Sequence, residues 1–149
     1  MGDMMKISTK GRYALRVMIE LARQGSDQPI ALRTVAERQN ITLKYLENIT
    51  TMLLREGLVT SVRGKSGGYL LSRPAARYTV YEILCATEGE LEPVSCLASG
   101  AQACPLENRC PTLPVWKGLS KVVREYLESI SLATLAQQTP GEFSFCDGI

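Results

Sequence analysis

Three cysteines lie close together in the second half of the chain and carry its most distinctive chemistry. Seven residues separate Cys96 from Cys104, five separate Cys104 from Cys110, and a proline follows each of the last two. Thiolates are soft ligands that suit iron–sulfur clusters, zinc or copper(I). Such sites usually take four protein ligands, and the chain has no histidine to be the fourth. The spacing predicts a metal or cluster site at these cysteines.

Other interpretations of the three thiols stay open on the residues alone. They could be free and incidental. They could bind zinc, with Cys85, Cys146 or a carboxylate as the fourth ligand. Two of them could instead form a redox disulfide. Cys85 falls inside a predicted helix and is expected to be a buried thiol, and Cys146 is expected to be incidental. Because five cysteines is an odd number and no signal peptide is visible, we expect a reduced, cytoplasmic setting.

Composition excludes several classes of function. The chain has 149 residues, of which 45% are hydrophobic, enough for a globular core. Without histidine, Ser-His and Cys-His catalysis and histidine-ligated metals are excluded, so no enzyme is expected. No apolar run approaches the roughly 18 residues of a membrane helix, so no membrane partner is expected.

Charge divides the chain into two segments. Residues 1–78 contain 13 Lys and Arg against 6 Asp and Glu, whereas residues 79–149 contain 4 against 9. A basic N-terminal segment indicates a polyanion partner such as nucleic acid, although a solvated basic surface is the alternative.

The elements of the basic segment predict a DNA-binding fold. Apolar periodicity and capping residues predict helices near residues 9–24, 32–39 and 42–56, followed by strands at 58–63 and 69–71. Two short helices joined by a tight turn, then a glycine-tipped hairpin, form a winged helix-turn-helix, whose second helix reads the major groove. The candidate DNA-contacting residues are Thr42, Lys44, Tyr45, Arg63, Lys65, Ser66, Gly67 and Gly68. The alternatives are that the tyrosine belongs to the core, that the cations are ordinary solvated charges, and that the glycines serve only the geometry of the turn.

The second segment predicts a dimer helix beyond the cysteine loop. A capping box at Thr79 opens a helix to about Glu88, a loop covers 89–113, and a long helix runs from Pro114 to about Ile130. Its apolar stripe comprises Trp116, Leu119, Val123, Tyr126, Leu127 and Ile130. We expect a second copy to cover the stripe, although packing on its own domain is the alternative. The predicted domains are a DNA-binding domain over 5–78 and a cysteine-loop and dimerisation region over 79–149. Residues 1–4, before the start-like Met5, are interpreted as an added segment.

Specific stretches resemble one family of bacterial regulators. They are Met5 to Leu15, Tyr45-Leu46-Glu47, and Gly57-Leu58-Val59 through Arg63-Gly64-Lys65-Ser66-Gly67-Gly68-Tyr69. They are similar to the winged-helix repressors related to the iron–sulfur regulator IscR and the cysteine-metabolism repressor CymR, the Rrf2 family. The resemblance extends from Met5 to about Gln137. It implies a mainly helical fold with a small β-hairpin wing and a long C-terminal dimerisation helix.

The resemblance also implies a cofactor and a ligand set. Cys96, Cys104 and Cys110 occupy the place of the family's three-cysteine loop, which implies a cytoplasmic homodimer carrying a [2Fe–2S] or [4Fe–4S] cluster. CymR-like members lack these cysteines. Leu113 stands where IscR-like members have a histidine. Arg12 stands where nitric-oxide-sensing members have a partner-contributed aspartate.

At the DNA, the resemblance implies roles for individual residues. Glu47 matches a recognition-helix glutamate that couples cluster state to DNA choice. Tyr45, Arg63 and Gly67-Gly68 match DNA-contacting positions, and Lys44 replaces a small polar residue there.

The sequence thus predicts a homodimeric repressor that binds a double-stranded operator under the control of an iron–sulfur cluster. It would sense iron, cluster or redox status. The rival is a zinc- or thiol-redox-dependent regulator, or an interaction module controlled by a metabolic enzyme, without a cluster.

Overall fold

The computed structural model describes residues 5–25 and 27–138, and residues 1–4 and Cys146 lie outside them. Most of the described chain is helical, with one two-stranded antiparallel sheet. The elements are α1 (Thr9–Gln24), α2 (Leu32–Gln39), α3 (Leu43–Arg55), β1 (Val59–Val62), β2 (Gly68–Leu71), α4 (Val80–Glu88), α5 (Leu113–Glu128) and α6 (Leu132–Gln137). Short 3₁₀ turns cover Ala75–Arg77 and Ser95–Leu97. The expected winged-helix architecture is confirmed. No helix in the described ranges is long and apolar enough to cross a membrane.

Local signals explain where α2 and α3 begin and end. Asn40 adopts the left-handed conformation (φ 53°, ψ 48°) that stops α2. Thr42 caps α3, and Gly57 follows its end with φ of 70°. The hairpin pairs Val59 with Leu71 and Val62 with Gly68, so the wing tip covers residues 63–67.

One hydrophobic core joins both predicted segments. α1 packs against α4 and α6, and Ile83 of α4 and Leu132 of α6 belong to the same buried cluster as the side chains of α1–α3. The N–H of Leu132 donates to the carbonyl of Tyr78 at 3.0 Å, and the N–H of Val80 donates to that of Ile130 at 3.0 Å. Helix α6 is therefore tied to the basic segment, and the domain boundary after residue 78 stays a prediction.

Helix α5 projects from this core and buries none of its own residues. Its predicted apolar stripe divides into two faces. Leu127 packs against a small cluster that includes Leu84 and the buried Ile130, which follows the helix end. The opposite face is exposed at Val115 (59%), Leu119 (40%), Val122 (62%) and Tyr126 (44%). The exposed face is thus centred on Val122, because Val123 is half-buried.

Candidate DNA-binding surface and cysteine cavity

The N-terminal turn of α3 presents polar side chains to solvent. The Tyr45 N–H donates to Thr42 Oγ1 at 3.4 Å, and Thr42, Lys44 and Glu47 are all exposed. Tyr45 is half-buried, and its ring meets that of Tyr13 edge-on, with centroids 5.7 Å apart. Tyr45 therefore braces the start of α3 against α1. The partial positive charge of a helix N-terminus makes this turn suitable for a phosphate.

A polar network holds α2 against α1. It was not predicted from the sequence. Glu20 is 7% exposed and accepts from Arg38 Nη1 at 3.2 Å and from Gln39 Nε2 at 2.6 Å. Arg16 donates to Gln39 Oε1 at 2.7 Å and to its carbonyl oxygen at 2.8 Å. A buried carboxylate needs such partners, so this network sets the turn before α3. Helical spacing places Arg16 and Glu20 one turn apart, but nothing local identifies their partners on α2.

The wing carries exposed cations at its tip. Arg63, Lys65 and Ser66 are all exposed between β1 and β2. The two glycines that follow are required by the backbone itself. A Cβ on Gly67 would lie 2.2 Å from the Val62 carbonyl oxygen, and one on Gly68 would lie 2.2 Å from that of Ile30. The turn-geometry interpretation thus has a physical basis at both positions, and a DNA contact by either backbone stays a prediction.

Tyr78 anchors the base of the wing and was also missed. Its fully buried hydroxyl donates to the Leu58 carbonyl at 2.6 Å and accepts from the N–H groups of Ser72 at 2.9 Å and Arg73 at 3.2 Å. Arg73 lies over the Tyr78 ring and pairs with Glu82. The Glu82 side chain is thus paired with Arg73. Thr79 Oγ1 caps α4 by accepting a hydrogen bond from the Glu82 N–H. The N-cap half of the predicted capping box is observed.

The three loop cysteines line one cavity of about 140 Å³. It lies between the loop and the start of α5, and its lining also includes Glu107, Leu113 and Lys117. Cys96 and Cys104 are exposed and Cys110 is half-buried, and all three are free thiols. Within the described ranges, no three Cys, Asp or Glu side chains are already close enough to hold a metal ion. Binding would therefore require the exposed sulfurs to converge, and three soft thiolates around one cavity fit an iron–sulfur group in donor chemistry.

The thiols differ in acidity. The Thr112 hydroxyl, 3.5 Å from Cys110 Sγ, lowers the pKa of the Cys110 thiol, with help from the Thr112 backbone. Burial raises the pKa of the Cys85 thiol, which lines a different cavity with Tyr81 and Glu128. The structure thus separates Cys85 from the other three described cysteines.

A carboxylate at the end of α4 contacts the N-terminus of α1. Glu88, the last residue of α4, accepts three hydrogen bonds at Oε1: from Ser8 N at 3.0 Å, Ser8 Oγ at 2.5 Å and Gly11 N at 2.9 Å. It thereby caps the N-terminus of α1, where the Ser8 side chain caps no backbone N–H of its own helix. The loop begins at the next residue, so Glu88 ties the end of α4, from which the loop leaves, to the N-terminus of α1.

Comparison with known proteins decides the family. The Rrf2 family, described as iron-dependent transcriptional regulators, matches residues 7–138. The chain belongs to the Rrf2 family. Among Rrf2 relatives, IscR of Xenorhabdus nematophila, an HTH-type transcriptional regulator, is 39% identical over 133 residues, which cover 89% of this chain and 80% of that protein.

Solved Rrf2 structures confirm the fold. CymR, the global cysteine regulator of B. subtilis, has a TM-score of 0.74 and 36% identity, covering 91% of this chain and 99% of that one. IscR of T. potens has a TM-score of 0.69 and 33% identity, covering 91% and 93%. This Rrf2 protein is a transcriptional regulator of the IscR and CymR type.

Proposed function

We propose that the chain is a cytoplasmic, homodimeric repressor whose operator binding is controlled by an iron–sulfur cluster held by Cys96, Cys104 and Cys110. The observation that carries the proposal is the single cavity that these three free thiols line. The iron-dependent description of the family and the IscR-named relatives support it. It acts by binding rather than by catalysis.

At the DNA, the start of α3 reads the bases, and the wing positions the protein on the duplex. The exposed Lys44 and Glu47 at the start of α3 reach base edges, and the Thr42 hydroxyl approaches phosphate. Arg63 and Lys65 at the wing tip contact phosphates or the minor groove. Tyr45 acts mainly by holding the helix start against Tyr13.

The exposed face of α5 pairs with a second copy of the chain. A helix with four large apolar side chains 40–62% exposed leaves apolar surface that a partner helix would cover. Two copies place their α3 helices about 34 Å apart, so the operator is an imperfect palindrome.

In this proposal, the conformation of the cysteine loop affects the position of α1. When bound, the cluster would set the conformation of the loop through its presence or its oxidation state. The protein's own contribution is Glu88, the residue before the loop, whose carboxylate accepts hydrogen bonds at the N-terminus of α1. Tyr13 on α1 in turn contacts Tyr45 at the start of α3.

Iron and sulfide analysis of anaerobically purified protein tests the cofactor. Single Cys→Ala changes at 96, 104 and 110 are expected to abolish cluster binding. The matched control, Cys85→Ala, is expected to retain it because Cys85 lines a different cavity. A colourless, zinc-loaded wild type, or stoichiometric iron and sulfide in all three variants, would overturn the assignment.

A further inference from the structure

The segment between Cys104 and Cys110 holds a carboxylate at its centre. The Glu107 N–H donates to the Cys104 carbonyl at 3.0 Å, and the Arg109 N–H donates to the Leu106 carbonyl at 2.8 Å. These successive turns keep Glu107 beside the cysteines, and it lines the same cavity as all three. A fourth potential ligand therefore stands with the three sulfurs.

Other nearby candidates are less suited to ligation. Glu90 accepts the Ser99 N–H at 2.7 Å, and Glu92 accepts the Ser120 hydroxyl at 2.6 Å. Neither is among the described residues that line the cavity. Leu113 lines it but offers no side-chain donor atom. Glu107 is thus the carboxylate that the fold places with the thiols.

A positively charged side chain also lines the cavity beside these anionic groups. Three thiolates and a carboxylate bring four negative charges to one site, and a nearby cation would offset part of their mutual repulsion. Lys117, on the first turns of α5, lines the cavity together with Glu107.

We propose that the Glu107 carboxylate is the fourth ligand of the cluster, binding the iron that the three cysteines leave without a protein sulfur. The inference rests on the proposed function, since it concerns the same cluster. A carboxylate is a harder donor than a thiolate and suits iron in a sulfur environment less well. Glu107 would therefore hold its iron less tightly than the three cysteines hold theirs.

The test compares Glu107→Gln with the matched control Glu90→Gln, which alters a carboxylate of the same loop that does not line the cavity. Both are reconstituted anaerobically, and Mössbauer spectra of iron-labelled protein are recorded with the rate of iron loss to a chelator. The wild type is expected to show one iron site distinct from the others. Glu107→Gln is expected to shift that site and to lose iron about tenfold faster, while Glu90→Gln matches the wild type.

The outcomes separate the two claims. A wild type without iron and sulfide overturns the proposed function and this inference together. A wild type with a cluster, whose spectrum and rate of iron loss are unchanged in Glu107→Gln, overturns the role of Glu107 alone. Glu107→Asp, which keeps a carboxylate, is expected to lose iron more slowly than Glu107→Gln, and equal rates would contradict ligation.

Discussion

Removing the Glu88 carboxylate tests the contact between the end of α4 and the N-terminus of α1. Glu88 accepts three hydrogen bonds at one oxygen and faces the positive end of α1. A helix cap contributes about 0.5–2 kcal/mol, and a negative charge at a helix N-terminus adds about 0.3–1 kcal/mol. We therefore expect Glu88→Ala to lower the free energy of unfolding by about 2 kcal/mol. Glu88→Gln, which keeps an acceptor oxygen but loses the charge, should cost about half as much.

Urea unfolding followed by circular dichroism, at one fixed protein concentration, measures these differences. Glu90→Ala is the matched control, because Glu90 is exposed and caps no helix. A loss in Glu88→Ala below about 0.5 kcal/mol, or an equal loss in the control, would refute the capping role.

A double-mutant cycle with Gly11 sharpens the test. A Cβ at Gly11 would lie 2.3 Å from Glu88 Oε1, so Gly11→Ala should destabilise the wild type. In the Glu88→Ala background the obstructing carboxylate is gone, and alanine is favoured over glycine in a helix by about 1 kcal/mol. The two substitutions are therefore expected to be strongly non-additive. Additive effects would mean that Glu88 does not occupy the N-terminus of α1.

Three further predictions concern the dimer, the DNA and the thiols. Leu119→Asp combined with Val122→Asp should give monomers in sedimentation equilibrium, because each change puts a charge on the face proposed to be covered; an unchanged dimer mass would contradict this. Lys65→Ala should weaken binding to all DNA sequences alike and reduce the salt slope by about one, whereas an altered sequence preference would indicate base readout. In cluster-free protein near neutral pH, mass spectrometry should show Cys110 alkylated before Cys85, because a lowered pKa gives more thiolate and a raised pKa gives less. The opposite order would contradict the predicted difference in acidity.

Elements with local signals were predictable from the sequence. The left-handed Asn40, the Thr42 cap and the apolar periodicity of α1 to α3 place these helices within a residue or two of their observed ends. The hairpin was also predicted, one residue too long at each end of β1. Each of these signals depends on neighbours in the chain, which a single sequence displays directly.

Contacts between distant residues could not be predicted in the same way. Glu88 and Ser8 are 80 positions apart, and the sequence gives no sign that one caps the helix of the other. The predicted stripe of α5 divides between a packed edge and an exposed face, because helical periodicity does not tell which edge of a broad stripe α4 covers. The cysteines were recognisable by type and spacing, whereas the presence of Glu107 in their cavity required the folded loop.

The central claim, that a cluster on these cysteines controls operator binding, is tested most directly by one competition experiment. Wild-type protein with and without its cluster is titrated against a pool of randomised duplexes at fixed salt, beside Cys104→Ala. If the cluster controls binding, its removal should change operator affinity or preference by about tenfold or more, and Cys104→Ala should behave like the cluster-free wild type. Equal affinity and preference in all three samples would contradict it.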